Sequence, residues 1–280
     1  MPAADTTVMT DALPALSLKL LPAAIVATSA IPLYGFENRF VGYPWLAIGL
    51  FIAFLVDREL LRDLALIAVG LVIVSTVSVK ADISWGNIAV LGVVLSAAVI
   101  VPFAIDRYVY RRKAIRFPWR GGVPWSNWEK LYLFAVPFLG WLILPIYFIS
   151  SEVYLNWPKV VETSEVLRLF VGVNAVGTWD ELFFICTCFA LLRRHFRPFT
   201  ANILQAIIFV SFLWELGYQS WGPLLTIPFA LLQGYIFTRT KSLTYVLIVH
   251  LLFDLVVFLV IVHAHNPGAL PIFFVPSPGS

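Results

Sequence analysis

The chain has 280 residues, of which 60% are hydrophobic and only 12% charged, with a formal net charge of +3. Soluble domains carry about 25% charged residues, so this charge deficit and a mean hydropathy of +0.89 exclude an ordinary water-soluble globule. No nucleic-acid-binding motif is present, which excludes nucleic acid as a partner and leaves the lipid bilayer as the medium that the composition demands.

Apolar runs of about 17–25 residues can cross a bilayer as helices. They predict an all-α polytopic transmembrane bundle of about nine spans: 13–34, 41–56, 60–79, 87–108, 130–150, 166–192, 200–217, 222–237 and 242–263. Eight is the alternative, with the second and third spans as a re-entrant pair around Asp57, Arg58 and Glu59. Asp5 and Asp11 stand where a secretory signal would carry Lys or Arg, so the first apolar segment is expected to stay as an anchor. Pro22, Pro32, Pro102, Pro137, Pro145 and Pro228 fall in or near spans and are expected to kink them. The largest loop, 109–129, mixes arginines with Trp119, Trp125 and Trp128 and reads as an interfacial segment on anionic headgroups. The loop 151–164 carries Glu152, Trp157 and Glu162 without a reaction signature. Cys186 and Cys188 lie in an apolar run and read as small packing residues. The tail 264–280, rich in Pro, Gly and Ser at its end, is expected to fray. The chain thus divides into N-terminal spans with a basic loop (1–130), a fifth span with its loop (131–164), a C-terminal core (165–263) and a tail (264–280).

The basic residues test this map. Arg58 and Arg62, then Arg107, Arg111, Arg112, Lys113, Arg116, Arg120 and Lys130, then Arg193, Arg194 and Arg197, then Arg239 and Lys241 fall in connections that share one side of a nine-span bundle. The opposite loops hold Arg39, Lys80 and Lys159. The positive-inside rule then gives a cytoplasmic N-terminus and an external C-terminus in the cell membrane.

Ionisable residues within spans are costly and are functional candidates by default. They concentrate in the last third: Asp180 and Glu181 in span 6, Glu215 in span 7, His250 and Asp254 in span 9. His250 and Asp254 are one helical turn apart and leave the same helix face. At about 1.5 Å per residue, Glu181, Glu215, His250 and Asp254 lie roughly 17, 22, 12 and 18 Å from the basic end, so one layer can hold all four. Several carboxylates cannot share a dry site fully ionised, so at least one is expected to hold a proton near neutral pH. Such a site suits acid–base work. It equally suits a divalent metal such as zinc, held by Glu181, Glu215, His250 and Asp254, since carboxylates and histidine are zinc ligands. Each residue alone also has a structural reading as a hydrogen-bonded polar group. Asn174, Thr178 and Glu181 extend a polar stripe along span 6, and Gln205, Gln219 and Gln233 read as interhelical hydrogen-bonding groups.

On these residues the sequence resembles the CAAX-protease and bacteriocin-processing (CPBP) family of intramembrane endopeptidases. The family carries Glu-Glu-x-x-x-Arg, Phe-x-x-x-His and His-x-x-x-Asn/Asp on successive core helices. Here the third motif is intact as His250 and Asp254. The first keeps its acid pair as Asp180 and Glu181, with Ile185 in place of the Arg. The second aligns as Ser211 to Glu215, with Glu215 at the His position. The resemblance spans about residues 165–263. It implies hydrolysis of membrane-associated peptides, glutamate-dependent or metal-assisted, with Asp180 or Glu181 as base and His250 with Asp254 as oxyanion or ligand pair. Glu215 would replace the missing His as a proton carrier. The departures leave open a catalytically inactive member that binds membrane partners, and the same polar layer leaves open a proton- or metal-coupled transporter. The cofactor is a divalent metal or none.

Overall fold

The computed structural model describes residues 18–119, 124–268 and 270–279. The expectations that rest on Asp5, Asp11 and Arg120 lie outside these. Among the described residues the chain is all-helical, and its long helices are α1 (Leu20–Gly35), α2 (Arg39–Val56), α3 (Arg58–Val74), α4 (Trp85–Val109), α5 (Asn127–Ser150), α6 (Thr163–Leu192), α7 (Pro198–Leu216), α8 (Pro223–Thr240) and α9 (Leu243–His265). The nine predicted segments correspond to these helices in order. Six of them, α2, α4, α5, α6, α7 and α9, are long and apolar enough to cross a membrane. The expectation of nine spans is thus supported for six by length and composition.

Local sequence explains where the helices start. Side chains of Asn38, Asp57, Ser84, Ser126 and Ser242 accept backbone N–H groups that the first turn leaves unpaired. Pro198 and Pro223 occupy first-turn positions, where the missing N–H costs nothing. Asp57 ends α2 and caps α3 at once, accepting from Leu60 N at 2.7 Å. Lys19 lies 2.5 Å from the same carboxyl and, with that backbone bond, holds its pKa below the usual aspartate value.

Burial separates the centre from the rim. In its most apolar window α6 is 72% buried, whereas α2 and α4 are 22% buried, so α6 is the central helix and those two are peripheral. Around α6, rings pack edge to face and in stacks, with Trp179 5.0 Å from Phe183, Phe184 4.6 Å from Phe209 and Trp179 4.9 Å from Phe212. On the rim, Phe51 and Leu55 of α2, Val93 and Ile100 of α4, and Phe134 and Phe138 of α5 are exposed. An apolar surface this broad is solvated by lipid rather than water. The protein is an integral membrane helical bundle.

The arginine-rich end is bolted together rather than open. Asp63 and Asp106, each 1% exposed, face Arg112 at 2.7 and 3.0 Å. Asp63 also meets Arg194 at 3.2 Å and His195 at 2.7 Å. Asp106 further accepts the backbone N–H groups of Ala114 and Ile115. Partial burial works against the Arg112 cation, but the Asp63 and Asp106 carboxylates outweigh it and hold its pKa above the usual arginine value. The segment after α4 then reaches α9, where Pro118 accepts from Leu243 N at 2.9 Å and Trp119 O accepts from the Thr244 hydroxyl. The reading of this loop as a headgroup-facing segment is corrected for Arg112, a structural tie, while Arg111, Lys113, Arg116 and Trp119 stay exposed.

At the other end the connections fold inward. Asn156 Nδ2 donates to Gly217 O at 3.0 Å, and Asn266 Nδ2 donates to Val160 O at 2.8 Å. The tail expected to fray instead docks: Trp141 Nε1 donates to Ile272 O at 2.8 Å, and the Phe274 ring sits 5.5 Å from that indole. Phe273, 5.1 Å from the His263 ring, and Phe274 against Trp141 supply the grip that its Pro and Gly content disguised.

Candidate active site

Midway along the bundle, α6 and α9 bring four ionisable side chains together. His250 Nδ1 lies 2.7 Å from Glu181 Oε1. The same oxygen accepts an N–H from Gln233 of α8 at 2.6 Å, and Gln233 also donates to Val246 O at 3.2 Å. An amide N–H only donates, so Glu181 Oε1 accepts from Gln233, and with Glu181 ionised Nδ1 carries the hydrogen that points to the same oxygen. This fixes the ring, and Nε2 turns the other way. There it faces Asp180 Oδ2 at 3.6 Å and Asp254 Oδ1 at 3.8 Å. Those distances are too long for hydrogen bonds but close for charges.

The backbone of α6 makes this possible at two points. Gly177 lets α9 approach, because a Cβ there would strike Asp254 Oδ2. After Asp180 the helix changes winding, and Glu181–Phe189 is π-helical. The Thr187 hydroxyl, bonded to Leu182 O at 3.0 Å, marks the wider turn. π-helical stretches frequently occur at functional sites.

Asp180, His250 and Asp254 line a cavity of about 440 Å³ whose wall is otherwise mostly apolar, built by α4, α6, the segment 79–83 and the end of α7. Glu181 lies behind His250 and off that wall. The Phe229 ring stands edge-on to His250 at 5.0 Å, and Phe209 of α7 lies 6.1 Å away. Asp180 Oδ1, Glu181 Oε2, Gln233 Oε1 and Asp254 Oδ2 are buried without a hydrogen-bond partner. Buried polar atoms are almost always paired, by protein or ordered water. Four such atoms on neighbouring residues leave this cluster short of hydrogen-bond donors.

Glu215 is not part of this cluster. Its Oε1 accepts from Val79 N at 3.1 Å, at the end of α7, and it is absent from the cavity wall. The side chain of α7 that comes against His250 is Phe209. The predicted four-residue layer is therefore corrected to Asp180, Glu181, His250 and Asp254, because α7 points its glutamate at the Val79 backbone N–H. The proposed metal set falls with it: among the described residues no three His, Cys, Asp or Glu side chains are arranged to hold a metal ion. The residues present do not fit a zinc site of the expected composition. The polar stripe also closes on itself, since Asn174 bonds Phe170 O and Thr178 bonds Asn174 O in their own helix. Gln205 donates to Ala230 O as an interhelical group. Gln233, read as another such group, is instead a site partner, and the sequence signal was its position one turn from Phe229 on the helix that faces α6. Cys186 and Cys188 are free and buried.

Residues 162–256 match the family model described as type II CAAX prenyl endopeptidase Rce1-like. That stretch is similar to Rce1-like domains. All four clustered residues, and Gln233, fall inside it. The similarity agrees with membership of the CPBP family, and the α6–α9 frame carries the first and third motifs on facing helices. No curated protein and no solved structure matches the chain.

Proposed function

We propose that the protein is an intramembrane endopeptidase of the CAAX-protease type, hydrolysing peptide bonds of membrane-associated substrates in the cavity between α4, α6 and α9. The observation that carries this reading is the division of labour at His250: Glu181 holds Nδ1 from behind, while Nε2, Asp180 and Asp254 face the cavity. In the reading supported best, Asp180 takes a proton from a water as its oxygen bonds to the substrate carbonyl carbon. The carbonyl oxygen becomes an oxyanion, and the protonated His250 donates to it through Nε2–H. The intermediate then collapses, the C–N bond breaks and Asp180 returns its proton to the leaving amine. Asp254 donates only in its protonated form, whereas an asparagine amide would donate directly. The mostly apolar wall suits a substrate carrying hydrocarbon close to the scissile bond. With the arginine-rich end in the cytoplasm of the cell membrane, as the distribution of basic residues supports, the wall residues 79–83, Trp157 and Tyr218 lie toward the external side.

The test uses purified full-length protein in detergent with a quenched fluorescent peptide ending in a prenylated Cys-x-x-x tail, alongside its unprenylated copy. Cleavage is expected, with Asp180→Asn and His250→Ala each lowering kcat at least about 1,000-fold. Equal rates in all three proteins would sink the site as drawn. A second reading, a catalytically inactive member that binds membrane partners, is favoured by one observation: α7 brings Phe209, not a histidine, against His250. It predicts no cleavage and a cellular phenotype untouched by His250→Ala.

A further inference from the structure

The endopeptidase reading leaves the oxyanion short of donors. At the third-motif position Asp254 lacks the N–H of an amide, and α7 brings the Phe209 ring against His250. The cavity wall carries one more group of the right chemistry. Tyr218 lies just beyond α7, is 7% exposed and lines the cavity together with Asp180, His250 and Asp254. No hydrogen bond among the described residues engages its hydroxyl, and the oxygen is not among the buried orphans, as expected of a group that opens on the cavity.

The ring is also held. Phe148 and Trp157 meet it edge-on at 5.9 and 5.7 Å. Its backbone N–H donates to Leu213 O at 2.9 Å. The preceding Gly217 has φ 135°, a conformation that a side chain would strain, and a Cβ there would press on Trp157 and Asn156. A donor on a rigid mount costs little reorganisation when charge develops, which is what an oxyanion site requires.

Resting on the endopeptidase reading, we infer that Tyr218 is a catalytic residue whose O–H donates to the oxyanion beside His250 Nε2–H, supplying the donor that Asp254 lacks. The tyrosine keeps its proton throughout: it forms a hydrogen bond to the tetrahedral oxygen and releases it on collapse, while the water proton travels through Asp180.

The experiment compares the wild-type protein, Tyr218→Phe and Asp180→Asn in detergent on the same prenylated peptide. Tyr218→Phe keeps the ring packing and removes only the hydroxyl. It is expected to lower kcat about 100-fold, with KM within about twofold and an unchanged melting transition. A peptide phosphinate that mimics the tetrahedral intermediate should lose affinity by a similar factor, while an uncleavable ground-state peptide should bind as before. A purely structural tyrosine would not split those two affinities. If the wild type cleaves and Tyr218→Phe stays within twofold in kcat, or if both affinities fall together, the role of Tyr218 is overturned and the endopeptidase reading stands. If the wild type cleaves nothing, that reading falls and takes this role with it.

Discussion

Two buried clusters of charged side chains lie in the same bundle, and they differ in whether every polar atom has a partner. At the arginine-rich end, Asp63 and Asp106 are surrounded by Arg112, Arg194, His195 and two backbone N–H groups, and none of these side chains carries a buried orphan. Between α6 and α9, three carboxylates share one histidine and one glutamine, and each carboxylate keeps an unpaired oxygen. Both clusters are acidic groups in an apolar protein, so composition alone does not tell them apart. Satisfaction does: a closed network has nothing left to offer a ligand, while an open one keeps acceptors in reserve. The first reads as a clamp and the second as a site.

The largest effect that can break this contrast is in the clamp. Arg112→Ala strips the shared cation from Asp63 and Asp106, and breaking a buried pair on one side costs about 3–5 kcal/mol. Equilibrium unfolding in detergent should show that loss, and the cleavage rate per folded molecule should stay within about twofold. Lost cleavage with stability intact would mean that the arginine-rich end belongs to the chemistry. A smaller effect sharpens the site. Gln233→Leu removes the second donor to Glu181 Oε1, worth about 1.5–3 kcal/mol for a hydrogen bond to a charged group. Part of that should appear as roughly a tenfold lower kcat, since about 1.4 kcal/mol is tenfold in rate, and Gln233→Asn should not restore it because the amide is one methylene short. The smallest effect is expected at Glu215. Glu215→Gln keeps an acceptor for Val79 N–H and should leave cleavage within about twofold; a tenfold loss would extend the site to the far end of α7.

The helices and the acid–histidine core were legible because the bilayer enforces them. Long apolar runs and costly buried charges stand out against a hydrocarbon background. His250 and Asp254 were readable as one turn of helix, and Asp180 with Glu181 as their counterpart at equal depth. What failed was direction. Depth along a helix follows from counting, but the azimuth of Glu215 depends on how α7 rotates against α1, α6 and the Val79 backbone, which no local pattern states. Gln233 was hidden for a related reason: as a neutral amide it pays little to be buried once bonded, so it raised no alarm. The Asp63–Arg112 tie was masked by length, since Asp63 and Asp106 sit near span ends, where charge is ordinary. The docked tail was masked by its Pro and Gly content, although the Ile272–Phe274 triplet was present to be read.

The change of winding at Glu181 also alters how sequence distance should be counted. Up to Asp180 a step of one residue turns the chain by about 100°; through Glu181–Phe189 it turns less, because each bond spans one more residue. A helical wheel drawn at uniform pitch through α6 therefore assigns wrong neighbours to every position beyond Asp180. Ile185, the residue that departs from the family's first motif, lies inside that stretch. Its four-residue offset from Glu181 is consequently not one α-helical turn, and a motif written as a spacing is here a statement about two different rulers laid end to end.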